Sequence, residues 1–223
     1  MNLNKSYEFF QPEKDDTRIH IIGCGSVGST LAENLARCGV KKMTLWDFDE
    51  VEEHNIVNQM YTQKHVGMKK VDALKDILFN INPEIKDCIE LEPEGWKGKQ
   101  LSGYIFHAVD NIEIRKDFVQ KHRDSPFIKA VFDFRTSLTS AQHYAADWND
   151  FRMKDNLWRS MDFTHEEAAD ETPVSACGIT LGVATTVRLI CAMGVNNYIR
   201  FVKGEGIWKF VQIDGFYGTL DCF

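Results

Sequence analysis

Three glycines, an aspartate pair and a lysine carry the first chemical signal in this chain. Gly23, Gly25 and Gly28 are spaced G-x-G-x-x-G within "IHIIGCGSVGSTLAENLARCG". Glycines at that spacing permit a tight turn and let phosphates approach the backbone. The helix start that follows offers unpaired N–H groups and positive potential. Asp47 stands 19 residues after Gly28, at the end of "MTLWD", where an acid can accept from ribose hydroxyls. Farther along come Lys70, behind "HVGMK", and Asp110-Asn111, ending "YIFHAVDN". A lysine in the same crevice neutralises phosphates, and an aspartate holds Mg²⁺ through oxygen. Taken singly, Lys70 reads as a solvated helix residue and Asp110 as a turn or N-cap residue. The glycine motif alone fits NAD or ATP; hydride transfer needs neither Lys70 nor Asp110.

Those side chains need elements that bring them to one edge. "RIHIIG" is continuously apolar and β-branched, as expected of a strand covered on both faces. "SVGSTLAENLARCG" follows at helical period, with Val27, Leu31, Leu35 and Cys38 on one stripe and Gly39 as the stop. "KKMTLWDFD" reads as a strand, "KKVDALKDILFNINP" as a helix closed by Asn-Pro, and "YIFHAVD" as a strand. "NIEIRKDFVQKHR" reads as a helix and "FIKAVFDF" as a strand. This alternation predicts an α/β fold: a doubly wound, Rossmann-like, mainly parallel sheet with helices on both faces. Residues 1–17 read as an N-terminal arm, loose or in a short helix, and 18–223 as a single domain. Within it, 148–176 reads as an irregular crossover loop, 178–202 as a largely buried helix, and 204–223 as an antiparallel C-terminal β-hairpin.

The totals narrow the class of protein. A chain of 223 residues with 43% hydrophobic residues can bury one sizeable core. A net charge of −7 speaks against a nucleic-acid binder. No apolar h-region opens the chain and no run is long enough for a membrane span, so a cytoplasmic protein is expected. The six cysteines, at 24, 38, 88, 177, 191 and 222, form no C-x-x-C pair, so neither a structural zinc nor a disulfide framework is expected.

The run "GCGSVGSTLAENLARCGVKKMTLWDFDEVEEHNIVNQ", then "VGMKKVDAL", "NP" and "AVDNIEIR", resembles the ThiF/MoeB/HesA and ubiquitin-activating superfamily. The resemblance covers residues 18–135 and extends to the later helix "CGITLGVATTVRLICAMG". It implies ATP-dependent adenylation of the C-terminal carboxylate of a ubiquitin-like or sulfur-carrier protein with a Gly-Gly tail, releasing pyrophosphate. Carried over by position, Gly23, Gly25 and Gly28 lie close to the nucleotide. Asp47 takes the ribose within the DxD segment that ends in Asp49. Asn55 and Gln59 line the phosphate pocket, Lys70 meets the phosphates, Asp110 holds Mg²⁺, and Asn111 completes the strand end. The resemblance also implies a homodimer.

One position departs from the family pattern: Asn58 stands where an arginine normally precedes the glutamine. Lys69, Arg115 or a residue from a partner subunit are the candidates to replace it, although on a helix Lys69 points about 100° away from Lys70. Cys177, in "PVSACGIT", occupies the place where some relatives carry a cysteine linked to the carrier as thioester or persulfide. A bystander cysteine is the other reading. Cys24 and Cys38 read as structural, and His20 and His107 as satisfied core residues. Arg135 either faces the crevice or makes a structural ion pair, and "HEEAADE" reads as a solvated loop. Three functional readings follow. They are an adenylyltransferase, a catalytically degenerate scaffold or partner subunit of the same family, and an NAD-dependent oxidoreductase.

Overall fold

The computed structural model describes residues 1–164, 166–167 and 181–223. Eight strands form a single sheet in the order β3-β2-β1-β4-β5-β6-β7-β8. β1 (Ile19–Ile22), β2 (Met43–Trp46), β3 (Ile89–Glu92), β4 (Gly103–His107) and β5 (Ile128–Thr136) run parallel. β6 (Ser140–Asp147), β7 (Phe210–Asp214) and β8 (Thr219–Cys222) continue it antiparallel. The mainly parallel, doubly wound α/β fold expected from the alternation is therefore present, with antiparallel strands at its C-terminal side.

Strand order reverses beside β1, whose neighbours are β2 and β4. Chain crossovers diverge at that point and leave a crevice beyond the carboxyl ends of the strands. Both faces of the sheet are covered. Val27, Leu31 and Leu35 of α1 (Ser26–Arg37), Val71, Leu74 and Leu78 of α2 (Lys70–Ile81), and Val187, Ile190 and Val195 of α5 (Ala184–Val202) join one core. Ile112, Phe118 and Val119 of α3 (Ile112–His122) and Leu157 of α4 (Phe151–Arg159) join the other. β1 and β2 are buried along their whole length, which explains why they read as continuous apolar runs rather than alternating ones.

Three local readings change. α4 lies inside the stretch expected to be an irregular crossover. Asp150 caps it by accepting from the N–H groups of Arg152 and Met153, and Leu157 anchors it. The segment before β1 is folded back rather than loose. Phe10 is buried edge-on against Tyr198, and the Tyr104 hydroxyl donates to Asp15. Finally, His20 accepts from the Trp46 indole at 3.2 Å, as expected of a satisfied core histidine, whereas both ring nitrogens of buried His107 have no partner among the described residues. His107 packs edge-on against Phe118 at 4.6 Å, and burial pushes its pKa down to about 3, so it stays neutral.

Candidate functional site at the strand carboxyl ends

The crevice begins with the turn from β1 into α1. Gly23 donates to the Trp46 carbonyl at 2.8 Å, and Ala108 donates to Ile22 at 2.8 Å, so the turn is stitched to β2 on one side and β4 on the other. Gly23 has φ +93°, and a Cβ there would stand 2.8 Å from the Ala108 backbone. At Gly28 a Cβ would overlap the Gly23 carbonyl oxygen. These two glycines are therefore needed to fold the turn. Gly25 differs: a Cβ on it would meet nothing within 4 Å, and it caps α1 without a side-chain hydrogen bond. The first N–H groups of α1 thus start beside an open space with no side chain of their own to satisfy them.

Asp47, just past β2, is 8% exposed and braces that turn. Its Oδ2 accepts from the Cys24 N–H at 2.6 Å and its Oδ1 from the Asp49 N–H at 2.8 Å. Burial raises its carboxyl above the ordinary range, opposed by the Cys24 N–H and the Lys70 charge. Lys70 opens α2, its N–H donating to the Asp49 carbonyl at 3.0 Å. Its ammonium reaches back 2.8 Å to the Asp49 carboxylate, with the lysine side chain 9% and the aspartate 50% exposed. Glycine loop, Asp47, Asp49 and Lys70 are brought together as one connected set.

The remaining candidates divide. Asn55 is buried and closes a capping box, its Oδ1 accepting from the Glu52 N–H at 3.0 Å. Gln59 leaves a buried Oε1 without a partner among the described residues. Asp110, exposed one residue before the α3 cap, makes no hydrogen bond among the described residues. Asn111 is that cap: its Oδ1 accepts from Glu113 at 2.8 Å and Ile114 at 3.4 Å, a local structural role. Cys177 lies outside the described residues. Cys24 is fully buried and burial drives its thiol pKa well up, so it is not a nucleophile.

Asn58, at the position of the family arginine, has its amide nitrogen beside Gly182, and both candidates within this chain are engaged with other groups. Lys69 is engaged with the Phe48 carbonyl at 3.1 Å and Glu50 at 3.3 Å. Arg115 is buried and pairs with both oxygens of Asp133, at 2.9 and 2.8 Å. The same guanidinium donates to the carbonyls of Val109 and Phe134. Arg135 settles as a structural ion pair: Nε meets Asp133 at 2.9 Å, and the guanidinium lies 4.4 Å from the Tyr144 ring centroid.

Two residues of consequence went unread in the sequence. Asp133 is an acid inside an otherwise apolar strand, which signals a buried partner. Tyr61 is 2% exposed, and its hydroxyl donates to the Cys24 carbonyl at 2.6 Å, with the Lys70 carbonyl at 3.3 Å. It followed the "NIVNQM" run as one more core aromatic.

The chain is similar in sequence and in fold to known proteins. Ubiquitin-like modifier-activating enzyme 5 of Caenorhabditis briggsae is 36% identical over 86 residues, 39% of this chain and 19% of that protein. The protein of the same name from Drosophila mojavensis is 39% identical over 131 residues, 52% of this chain and 32% of its own. The chain therefore spans between a fifth and a third of the length of these relatives. Among solved structures, Escherichia coli MccB with MccA-N7isoASN superposes with a TM-score of 0.74 at 14% identity, over 93% of this chain and 64% of MccB, a likeness of fold. The ThiF family model matches residues 7–222, and the chain belongs to the ThiF family.

Proposed function

We propose that this crevice binds Mg-ATP and that the chain adenylates the C-terminal carboxylate of a ubiquitin-like or sulfur-carrier protein ending in Gly-Gly. The observation that carries the reading is the convergence, at the carboxyl ends of β1, β2 and β4, of an uncapped helix start, a braced acid, a lysine and an exposed aspartate. The residues fit a nucleotide. Gly25 leaves room for close approach, Asp47 presents a carboxylate toward ribose, and Lys70 and the α1 N–H groups offer positive charge and donors to phosphates. Gln59 adds an acceptor without an internal partner.

In the reaction, a carboxylate oxygen of the carrier's last residue bonds to the α-phosphorus, and the bond to the β,γ-phosphate breaks, releasing pyrophosphate. Both reactants are anions, so cationic and N–H groups must offset their repulsion and the charge building at phosphorus. Asp110 would hold magnesium there, and the ion would supply further neutralisation of the phosphate charge. A homodimer in the cytoplasm, and Cys177 as a carrier-linking thiol, belong to the same reading.

A second reading, a nucleotide-binding scaffold or partner subunit that does not catalyse, is favoured by one observation. Asn58 stands at the arginine position while Arg115 and Lys69 are both occupied elsewhere. Calorimetry with Mg-ATP, metal-free ATP and NAD tests the site, and ATP–pyrophosphate exchange with candidate carriers tests catalysis. Magnesium-dependent ATP binding that weakens in Asp110→Ala is the expected result. Binding of NAD without a response to magnesium overturns the reading in favour of an oxidoreductase. ATP binding without exchange, with every carrier tried, favours the scaffold.

A further inference from the structure

Cys24 is the residue of the glycine loop whose two backbone groups are both held from outside the turn. Its N–H donates to Asp47 at 2.6 Å, and its carbonyl accepts from the Tyr61 hydroxyl at 2.6 Å. Fixing both ends of one residue's hydrogen bonding fixes the planes of the peptides on either side of it, and the second of these carries the Gly25 N–H that leads into α1. Tyr61 is itself rigidly seated. It packs edge-on against His65 at 6.2 Å, and the preceding Met60 N–H donates to Ser29 of α1 at 3.2 Å. His65 in turn faces Asp76 of α2 at 3.2 Å. The hydroxyl also lies 3.3 Å from the Lys70 carbonyl, at the first residue of the helix whose ammonium lines the crevice. One phenol thus stands between the two elements that present positive groups to the same space.

We propose that Tyr61 is a positioning residue: its hydroxyl holds the Cys24 carbonyl so that the glycine loop and the start of α1 present their N–H groups, preset, to the phosphates of a bound nucleotide. The effect falls chiefly on phosphate recognition, because the peptide that Tyr61 holds carries the Gly25 N–H, whereas the ribose partner Asp47 keeps a second, separate bond to the Asp49 N–H beside the one it shares with Cys24. The inference rests on the nucleotide reading for its ligand, while the hold on the loop is a property of the nucleotide-free protein.

The test compares wild type with Tyr61→Phe, which keeps the ring and removes only the hydroxyl. Amide hydrogen exchange at Gly23 and Cys24, read by NMR without nucleotide, is expected to quicken about tenfold while β1 amides stay unchanged. Calorimetric titration is expected to show ATP affinity falling about five- to tenfold and adenosine affinity changing less than about twofold. Unchanged exchange at the loop overturns the proposal, as does equal weakening of ATP and adenosine. Faster exchange spread over the whole sheet also overturns it, since that marks plain destabilisation. A wild type that binds neither ligand removes the nucleotide reading instead, and the exchange comparison still decides whether Tyr61 holds the loop.

Discussion

The Lys70 ammonium, at the start of α2, sits 2.8 Å from the Asp49 carboxylate, just beyond the end of β2. Half of the aspartate side chain is exposed, so this pair adds little to folding, but it keeps an almost buried cation close to Asp47. Lys70→Met is expected to lower ATP affinity at least tenfold, the worth of one charge-assisted hydrogen bond of about 1.5–3 kcal/mol. Stability should change by no more than about 1 kcal/mol. Titration with ATP and adenosine beside a denaturant melt separates the two, and an equal loss for both ligands counts against a phosphate role.

Gly25 and Gly28 should behave oppositely. Gly28→Ala places a methyl group into the Gly23 carbonyl and is expected to cost several kcal/mol, seen as a sharply lowered midpoint. Gly25→Ala meets open space and should leave stability within about 0.5 kcal/mol while obstructing nucleotide approach. If Gly25→Ala binds ATP as wild type does, the phosphates do not pass over this residue.

Breaking the Arg115–Asp133 pair should be costly because Asp133 is wholly buried. Arg115→Met leaves that carboxylate with Arg135 alone and strips donors from the carbonyls of Val109 and Phe134. A loss of about 3–5 kcal/mol is expected, and adding Asp133→Asn should recover part of it. A double variant no more stable than the single one would show that the carbonyl bonds, not the ion pair, carry the effect.

Acid should weaken the fold through its buried imidazoles. Burial holds His107 down to about 3, and His20 and His143 down to about 4. The unfolded chain binds these protons near 6.5, so between that value and about 4 the unfolded state carries more of them. Their contribution is therefore complete above 6.5 and is lost as pH falls toward 4. For His107 alone the loss by pH 5 is about 2 kcal/mol, and His107→Met should remove it. Denaturant melts at pH 7.5 and 5 check this, and an undiminished pH effect in the variant would place the sensitivity elsewhere.

The central strands and the helices α1, α2, α3 and α5 were legible because each buries a continuous run or a clean stripe. β6 was not, since the positions on one of its faces are the small or polar Ala141, His143 and Ala145, which register weakly against the half-buried Gln142 and Tyr144 on the other. α4 was masked by its polarity; only the Asp150 cap and one buried leucine betray it. At the site, glycine spacing and the carboxyl-end acids could be read locally. The role of Tyr61 could not, because its partner Cys24 is 37 residues away and the bond depends on how α1 and α2 dock.

The packing of α1 against α5 has a consequence for how the protein comes to exist. The glycine loop and α1 are synthesised well before α5, yet the Cys191 thiol of α5 lies 3.5 Å from the Val27 carbonyl, 164 residues earlier, and Val187, Ile190 and Val195 share a core with Leu31. A nascent chain therefore exposes the apolar flank of α1 until residues near 202 have left the ribosome. The α1–α5 contact joins distant parts of the chain, so it forms late and slowly, and the waiting surface is open to association with other unfinished chains.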